Sequence, residues 1–318
     1  MSDRVLVTGG FGYIGGRLCL ELARSPSRRL AVTTRARRDG PPAGLPPVDV
    51  VRANPLSADD LARACEGADA VVHLAAANEI DSARDPEAAL AFTTLSTLKL
   101  LAAARAAGAR RFVYLSTAHV YGAPLRGRIT EETPPKPSHP YAITHRAAED
   151  FVRAEHDAGR LEGVVLRLSN AFGAPAHAGV DRWTLVTNDL ARQLATTGRL
   201  ALKTAGLQRR DFIPLGDAAA AVAHALALPR PALGDGVFNV GGAPMRVVDL
   251  AERFAAAAAR VLGRPLALER PAPGPGDASD ELDYRCDKLL ATGFAPRGDV
   301  DGELEALARL ALAEFGRA

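Results

Sequence analysis

Gly9, Gly12 and Gly15 stand at a G-x-x-G-x-x-G spacing directly after the apolar stretch Val5-Leu6-Val7. Such a turn lets the backbone bend tightly, approach a pyrophosphate closely and pass straight into a helix. The helix then presents its first N–H groups and a partial positive charge to an anion. Three glycines after a strand are also compatible with a plain turn. The residues after the second apolar stretch, 30–32, bear on the same chemistry. An acid there accepts from a ribose 2′-hydroxyl, whereas an arginine accommodates a 2′-phosphate. Thr34 stands in the acid's place and Arg35 follows it, with no acid before Asp39. A dinucleotide held here is therefore expected to be NADP, while an arginine-rich solvated loop leaves NAD open.

Such residues act together only if a fold brings their strand ends to one edge. Short apolar runs at 5–7, 30–32, 48–51, 70–74, 112–115 and 164–168 read as strands covered on both faces. Helical patterns lie between them at 15–24, 58–65, 86–107 and 141–158. The alternation predicts an α/β protein with a doubly wound parallel sheet, a Rossmann domain over residues 1–172. The rhythm then loosens. Helical patterns near 181–197, 217–228, 247–262 and 299–315 predict a smaller, largely helical substrate-binding portion over 173–318, with some later elements returning to the sheet. The stretch 270–277 is too rich in Pro and Gly for a helix or a central strand.

Composition narrows the function. The chain has 318 residues, 47% hydrophobic and 24% charged, which suits a soluble globular protein of one large or two smaller domains. A net charge of +2, with basic residues scattered along the chain, argues against nucleic acid as a partner. The longest apolar run, 218–228, contains His224 and falls short of the roughly 20 residues a bilayer requires, so no membrane partner is expected. The N-terminus enters its first strand without a signal-peptide pattern. Cys19, Cys65 and Cys286 make neither a disulfide framework nor zinc-ligand spacing, which fits a cytoplasmic protein. His73 reads as a packed strand histidine. His139 and His177 sit in loops without ligand partners, and no metal site is expected.

Further motifs, in order, resemble the extended short-chain dehydrogenase/reductase family of nucleotide-sugar epimerases, dehydratases and ketoreductases. Residues 8–15 are similar to its T-G-G-x-G-x-I-G loop, 69–76 to its fourth strand and 112–122 to its fifth strand with the catalytic Ser/Thr segment. Pro140-Tyr141 resembles the start of the helix that carries the catalytic tyrosine. Leu166-Arg-Leu-Ser-Asn-Ala-Phe-Gly173, Arg210-Asp-Phe-Ile213, Phe238-Asn-Val-Gly-Gly242 and 287–296 match later signatures, so the resemblance covers nearly the whole chain. It implies that Gly9, Gly12, Tyr13, Ile14, Leu74, Ala75 and Ala76 lie at an NAD or NADP cofactor. Asn54 takes the place of an adenine-contacting aspartate, and Thr93 that of an asparagine. Tyr141 is the implied acid/base that exchanges a proton with the substrate while the nicotinamide exchanges a hydride. Thr117 is the hydroxyl that binds the same substrate oxygen, and Asn170 and Arg210 match positions that hold a nucleotide diphosphate. Arg210 could instead pair with Asp211. Homodimerisation through the helices carrying the tyrosine is implied as well.

The departures are as informative. The family pattern Y-x-x-x-K reads Tyr141-Ala-Ile-Thr-His145 here, and i and i+4 share a helix face. Without a fixed cation, only about one tyrosine in a thousand is phenolate at neutral pH. A protonated tyrosine is prepared to donate to a ketone and badly prepared to take a proton from an alcohol. His145 is then a substitute that bonds the ribose and can be held protonated in the site, a mark of reduction-biased chemistry, or a mark of a cofactor-binding module that no longer catalyses. Related dehydratases place Asp-Glu after the catalytic threonine. Ala118 and His119 stand there instead, which argues against 4,6-dehydration, although His119 can serve as an auxiliary acid or base. Pro275-Gly276-Asp277 lacks the arginine that often precedes it, with Arg270 upstream, so a non-sugar ketone remains an alternative substrate. The expected activity is an NAD(P)-dependent C4 epimerase or ketoreductase of a nucleotide-sugar. His145→Lys is expected to retain activity and to shift the pH profile so that alcohol oxidation proceeds at lower pH. An unchanged profile would remove His145 from the tyrosine's electrostatics.

Overall fold

The structure, a computed structural model, describes residues 3–274 and 281–316. The chain begins with β1 (Asp3–Thr8), α1 (Tyr13–Leu22), β2 (Arg28–Thr34), β3 (Asp49–Arg52), α2 (Ala58–Cys65) and β4 (Ala70–His73). A helical run through α3 (Glu79–Arg84), α4 (Pro86–Ala89) and α5 (Ser96–Ala106) leads to β5 (Arg111–Thr117). Then come β6 (Gly127–Ile129), α6 (Pro140–Asp157), β7 (Glu162–Leu168), β8 (Asn170–Phe172), α7 (Val186–Thr197) and β9 (Leu200–Ala201). The chain continues through β10 (Arg209–Pro214), α8 (Leu215–Ala227), β11 (Val237–Val240), β12 (Ala243–Arg246) and α9 (Val247–Leu262). The last elements are β13 (Leu268–Glu269), β14 (Leu282–Tyr284), α10 (Asp287–Ala291) and α11 (Val300–Phe315).

Seven strands form one parallel sheet in the order β11-β7-β5-β4-β1-β2-β3. Alternate residues of each strand enter different cores. Val5, Val7, Val113 and Leu115 pack with Leu18 of α1 and Val222 of α8, while Leu6, Phe112 and Tyr114 pack with Leu61 of α2 and Leu100 and Leu101 of α5. Burying each such side chain is worth roughly 1.5–3 kcal/mol, which is why the strands are apolar on both faces. β11 and α8 are the later elements that return to the sheet. Arg111, buried on β5, donates to Ala225 O and Leu226 O at the carboxyl end of α8 while pairing with Glu162.

Several expectations change. The helix expected over 86–107 is interrupted by a π-helical turn at Leu90–Leu95. By length and composition alone, the run Pro86–Ala106 is apolar enough to cross a membrane, although Glu87, Lys99 and Arg105 interrupt it in the sequence. Here its Leu100, Leu101 and Ala104 are packed into the domain core. The helix expected from Asp181 starts at Val186, because Arg182 turns back in the preceding loop and its carbonyl accepts from Asn188 Nδ2. The C-terminal portion is not simply helical, since its β10 and β12 join β8 in a second sheet. β8 and β12 have only three and four residues, and β10 opens on two exposed arginines, so none shows a legible period. Pro275-Gly276-Asp277 lies outside the described residues.

An ion pair buried on both sides fastens α6 to the sheet. Arg167 of β7 and Glu149 of α6 meet at 2.8 Å, with side chains 2% and 0% exposed. Ser116 donates to the same carboxylate at 2.6 Å, and Arg167 donates to the Tyr121 phenol at 2.8 Å. Glu149→Gln leaves the guanidinium without its counter-charge and is expected to lower the unfolding free energy by about 3–5 kcal/mol. Urea denaturation checks this, and a loss no larger than that of an exposed ion pair would show that water reaches the pair.

Candidate active site

The glycine turn joins β1 to α1. Gly12 caps α1 without a side-chain bond, and the first turn holds no acid, so its N–H groups remain open to an anion. Gly9 sits at φ +70°, where a Cβ would lie 2.9 Å from Ala75 N. A Cβ on Gly15 would lie 2.1 Å from Gly9 O. The end of β4 is held above the turn by hydrogen bonds: the Thr8 hydroxyl bonds His73 Nδ1 at 2.6 Å and accepts from Ala75 N at 3.3 Å. Thr93 Oγ1 accepts from Ala77 N, so the residue in the asparagine's place also pins this loop. His73 is a packed histidine, and burial pushes its pKa down to about 3.

Two cavities meet over the turn and share Gly9, Gly12, Leu74 and Ala76. One, of about 350 Å³, runs past Ala75 towards Thr34, Arg35 and Phe92. The other, of about 380 Å³, is lined by Tyr13, Ile14, Thr117, His119, Tyr141, His145 and Asn170 among others. Tyr13 is anchored beneath it, donating to Gly173 O at 2.8 Å. Arg35 lies over the Phe92 ring at 5.0 Å. Asn54 sits in a neighbouring cavity with Arg35, Arg52, Asp60 and Arg63. Its side-chain carbonyl accepts from Leu56 N and so serves its own turn first.

Local sequence brings the tyrosine and the threonine together. His139-Pro140 opens α6: the His139 side chain caps the helix by accepting from Tyr141 N at 3.2 Å. Proline at the first helical position loses only an N–H that would be unpaired anyway. Thr117 ends β5, where its hydroxyl accepts from His119 N at 3.2 Å and starts a tight turn. Both side chains therefore reach the carboxyl edge of the sheet, where open α/β sheets bind ligands. Burial raises the Tyr141 pKa well above its ordinary value, Glu79 adds to the rise, and Thr117 and Arg182 oppose it.

His145 lies edge-on to Tyr141, with ring centroids 4.6 Å apart. Its Nδ1 is 2.7 Å from the Tyr114 phenol, and its Nε2 is buried without a partner among the described residues. Burial, with His73 and His119 nearby, pushes its pKa down to about 3. The ring is neutral at pH 7, which corrects the protonated form considered from the sequence. The Asn170 side chain donates to Asp211 O at 2.9 Å. Arg210 is not among the residues lining the cavity, yet it is close enough to His119 to lower its pKa. It is not paired with Asp211, whose buried carboxyl turns inward to Ser169 and Gly242 and is pushed up to about 6 by burial. Among the described residues Arg210 makes no ion pair. Arg270 donates to Ala205 O.

Sequence reasoning missed Glu79 and Arg182, which line the cavity and pair at 3.4 Å, and it missed Tyr114. Asn78, which caps α3 by accepting from Asp81 N, was the readable signal for the first of these. Arg182 lies in a loop with no local signature. No group of three or more His, Cys, Asp or Glu side chains suited to a metal occurs among the described residues.

A glycine turn that only hydrogen side chains fit, an uncapped helix end and an orphaned buried nitrogen fit a dinucleotide, and the architecture is that of a Rossmann-type enzyme. The model of the NAD dependent epimerase/dehydratase family matches residues 5–241. The UDP-glucose 4-epimerase of Azospirillum brasilense is 33% identical over 268 residues, covering 78% of this chain and 76% of that protein. The UDP-glucose 4-epimerase of Thermus thermophilus, solved with NAD, is 27% identical with a TM-score of 0.75, covering 97% of this chain and 98% of that one. RMD from Pseudomonas aeruginosa, complexed with NADPH, is 25% identical with a TM-score of 0.76 and covers 98% and 99%. The chain belongs to the NAD-dependent epimerase/dehydratase family, the extended short-chain dehydrogenase/reductases, and is an enzyme of nicotinamide-dinucleotide chemistry. Gly15→Ala forces a backbone shift in the turn. It is expected to weaken NADH binding at least about tenfold and to lower stability by roughly 1–3 kcal/mol. Fluorescence titration checks this, and unchanged affinity would place the dinucleotide elsewhere.

Proposed function

We propose that the protein acts on a nucleotide-activated sugar, oxidising or reducing a ring carbon, C4, as an epimerase or a ketoreductase. The observation that carries this reading is the meeting of Tyr141 and Thr117 in one cavity with the glycine turn. A bound nicotinamide takes up a hydride from an alcohol carbon or delivers one to a carbonyl carbon. Tyr141, protonated at neutral pH because burial raises its pKa, donates to the carbonyl oxygen, and Thr117 holds the same oxygen. His145 offers a nitrogen but no charge, so the steps that begin by protonating a ketone are the easier ones. Arg182 at the cavity and Arg210 close by suit a diphosphate, with Asn170 between the wall and β10. His119, also at the cavity, is the auxiliary acid or base.

Water elimination fits less well. The cavity's carboxylates Glu79 and Asp181 come from the start of α3 and the loop before α7, outside the 118–119 turn, and Glu79 is engaged by Arg182. NADP is the cofactor this reading favours, because Arg35 and Arg52 face one cavity beyond β2 and neither makes an ion pair among the described residues. A homodimer is favoured by the apolar side chains Leu95, Leu98, Ile143 and Phe151, exposed on α6 and on the helical run before it.

Anomeric-proton NMR of UDP- and dTDP-sugars incubated with enzyme and either NAD or NADPH tests the activity. Tyr141→Phe is expected to lower kcat about 10²- to 10⁴-fold while NADPH still binds. Turnover confined to a simple ketone and unprotected by nucleoside diphosphates would replace the sugar with a non-sugar ketone. Binding without any turnover would leave a cofactor-binding regulatory module.

A further inference from the structure

We infer that Tyr114 is a positioning residue that holds His145 in the Nε2–H tautomer, so that a neutral imidazole presents an N–H donor to a bound dinucleotide. The inference deepens the functional reading above and rests on it for the identity of the ligand.

Tyr114 points from β5 into the core that α5 and α6 cover, and it is 1% exposed. Its phenol makes one hydrogen bond among the described residues, to His145 Nδ1 at 2.7 Å. The other imidazole within reach, His73, has its ring 5.7 Å away, and both its nitrogens are already engaged by Thr8 and Thr97. The phenol proton therefore has a single acceptor, His145 Nδ1. If Nδ1 carried the proton instead, the phenol O–H would be left buried and unpaired, which costs about 1–3 kcal/mol. With Tyr114 donating, Nδ1 is bare and the proton resides on Nε2.

Nε2 is the nitrogen that finds no partner among the described residues, and His145 lines the 380 Å³ cavity beside Tyr141. An N–H there can donate to either the hydroxyl or the phosphate oxygens of a dinucleotide, whereas a bare lone pair could only accept from a hydroxyl. The same rule orders the neighbouring ring. Thr97 donates to Thr93 O at 2.6 Å, so His73 Nε2 must donate to Thr97 and its Nδ1 must accept from Thr8. Burial keeps His145 from carrying both protons.

Long-range proton–nitrogen correlation spectra of imidazole-labelled protein read the tautomer directly, with the His145 signals assigned by their loss in His145→Gln. Wild-type protein at pH 7 is expected to carry the proton on Nε2. In Tyr114→Phe, which keeps the ring volume, the two tautomers should approach equal populations. The NADH dissociation constant should then rise about twofold, because only half of the rings still present the donor. In a His145→Gln background, where an amide donor does not depend on tautomer, the Tyr114 change should leave NADH affinity unchanged. Wild-type His145 protonated on Nδ1, or a Tyr114→Phe spectrum like that of wild type, overturns the inference whether or not NADH binds. A shifted tautomer with unchanged affinity overturns the donor role. Wild-type protein that binds neither NADH nor NADPH overturns the dinucleotide reading instead, and the spectra still decide the tautomer.

Discussion

The buried contact between Glu149 and Arg167 is the constraint on which the rest of the site depends. Two charges withdrawn from water are tolerable only when their geometry is complete, so α6 cannot slide or rotate on the sheet without stranding one of them. Tyr141, His145 and Glu149 are spaced i, i+4 and i+8 and share one face of that helix. Each meets a residue of β5: Tyr141 meets Thr117, His145 meets Tyr114, and Glu149 meets Ser116. The ion pair thus sets the register of a short ladder whose uppermost rung is the pair of hydroxyls proposed to handle the substrate oxygen.

The same dryness sets the electrostatics. His73 and His145 are neutral because their surroundings disfavour charge, and the Tyr141 phenol is held protonated for the same reason. A lysine would bring a fixed positive charge to this floor. A histidine in so dry a place brings only directional hydrogen bonding. Control over the tyrosine then passes to groups at the rim, with Glu79 pushing its pKa up and Arg182 pulling it down.

Residues whose role is written in local spacing were legible in the sequence. The glycine turn, the His139-Pro140-Tyr141 helix start and Thr117 at a strand end each announce themselves within a few positions. Continuous apolar runs predicted the parallel sheet because both faces of it are covered. The illegible part depends on contacts between distant segments. Tyr114 looks like any core aromatic until α6 brings His145 beneath it, 31 residues later. Arg182 reaches Glu79 across 103 residues. The π-helical turn at 90–95 shifts register inside a helix whose composition does not change, while β8 and β12 are too short, and β10 too charged at its start, to show a period.

The Glu79–Arg182 contact joins the start of α3 to the loop before α7, and its side chains are 44% and 28% exposed. Mobile ions screen such a wet pair, and it contributes at most about 1 kcal/mol. The dry pair under α6 feels almost none of that screening. Ionic strength therefore acts on the rim of the cavity and leaves its floor untouched. An incoming anion meets an arginine already occupied by a carboxylate, so the first event at the rim is an exchange of one counter-ion for another.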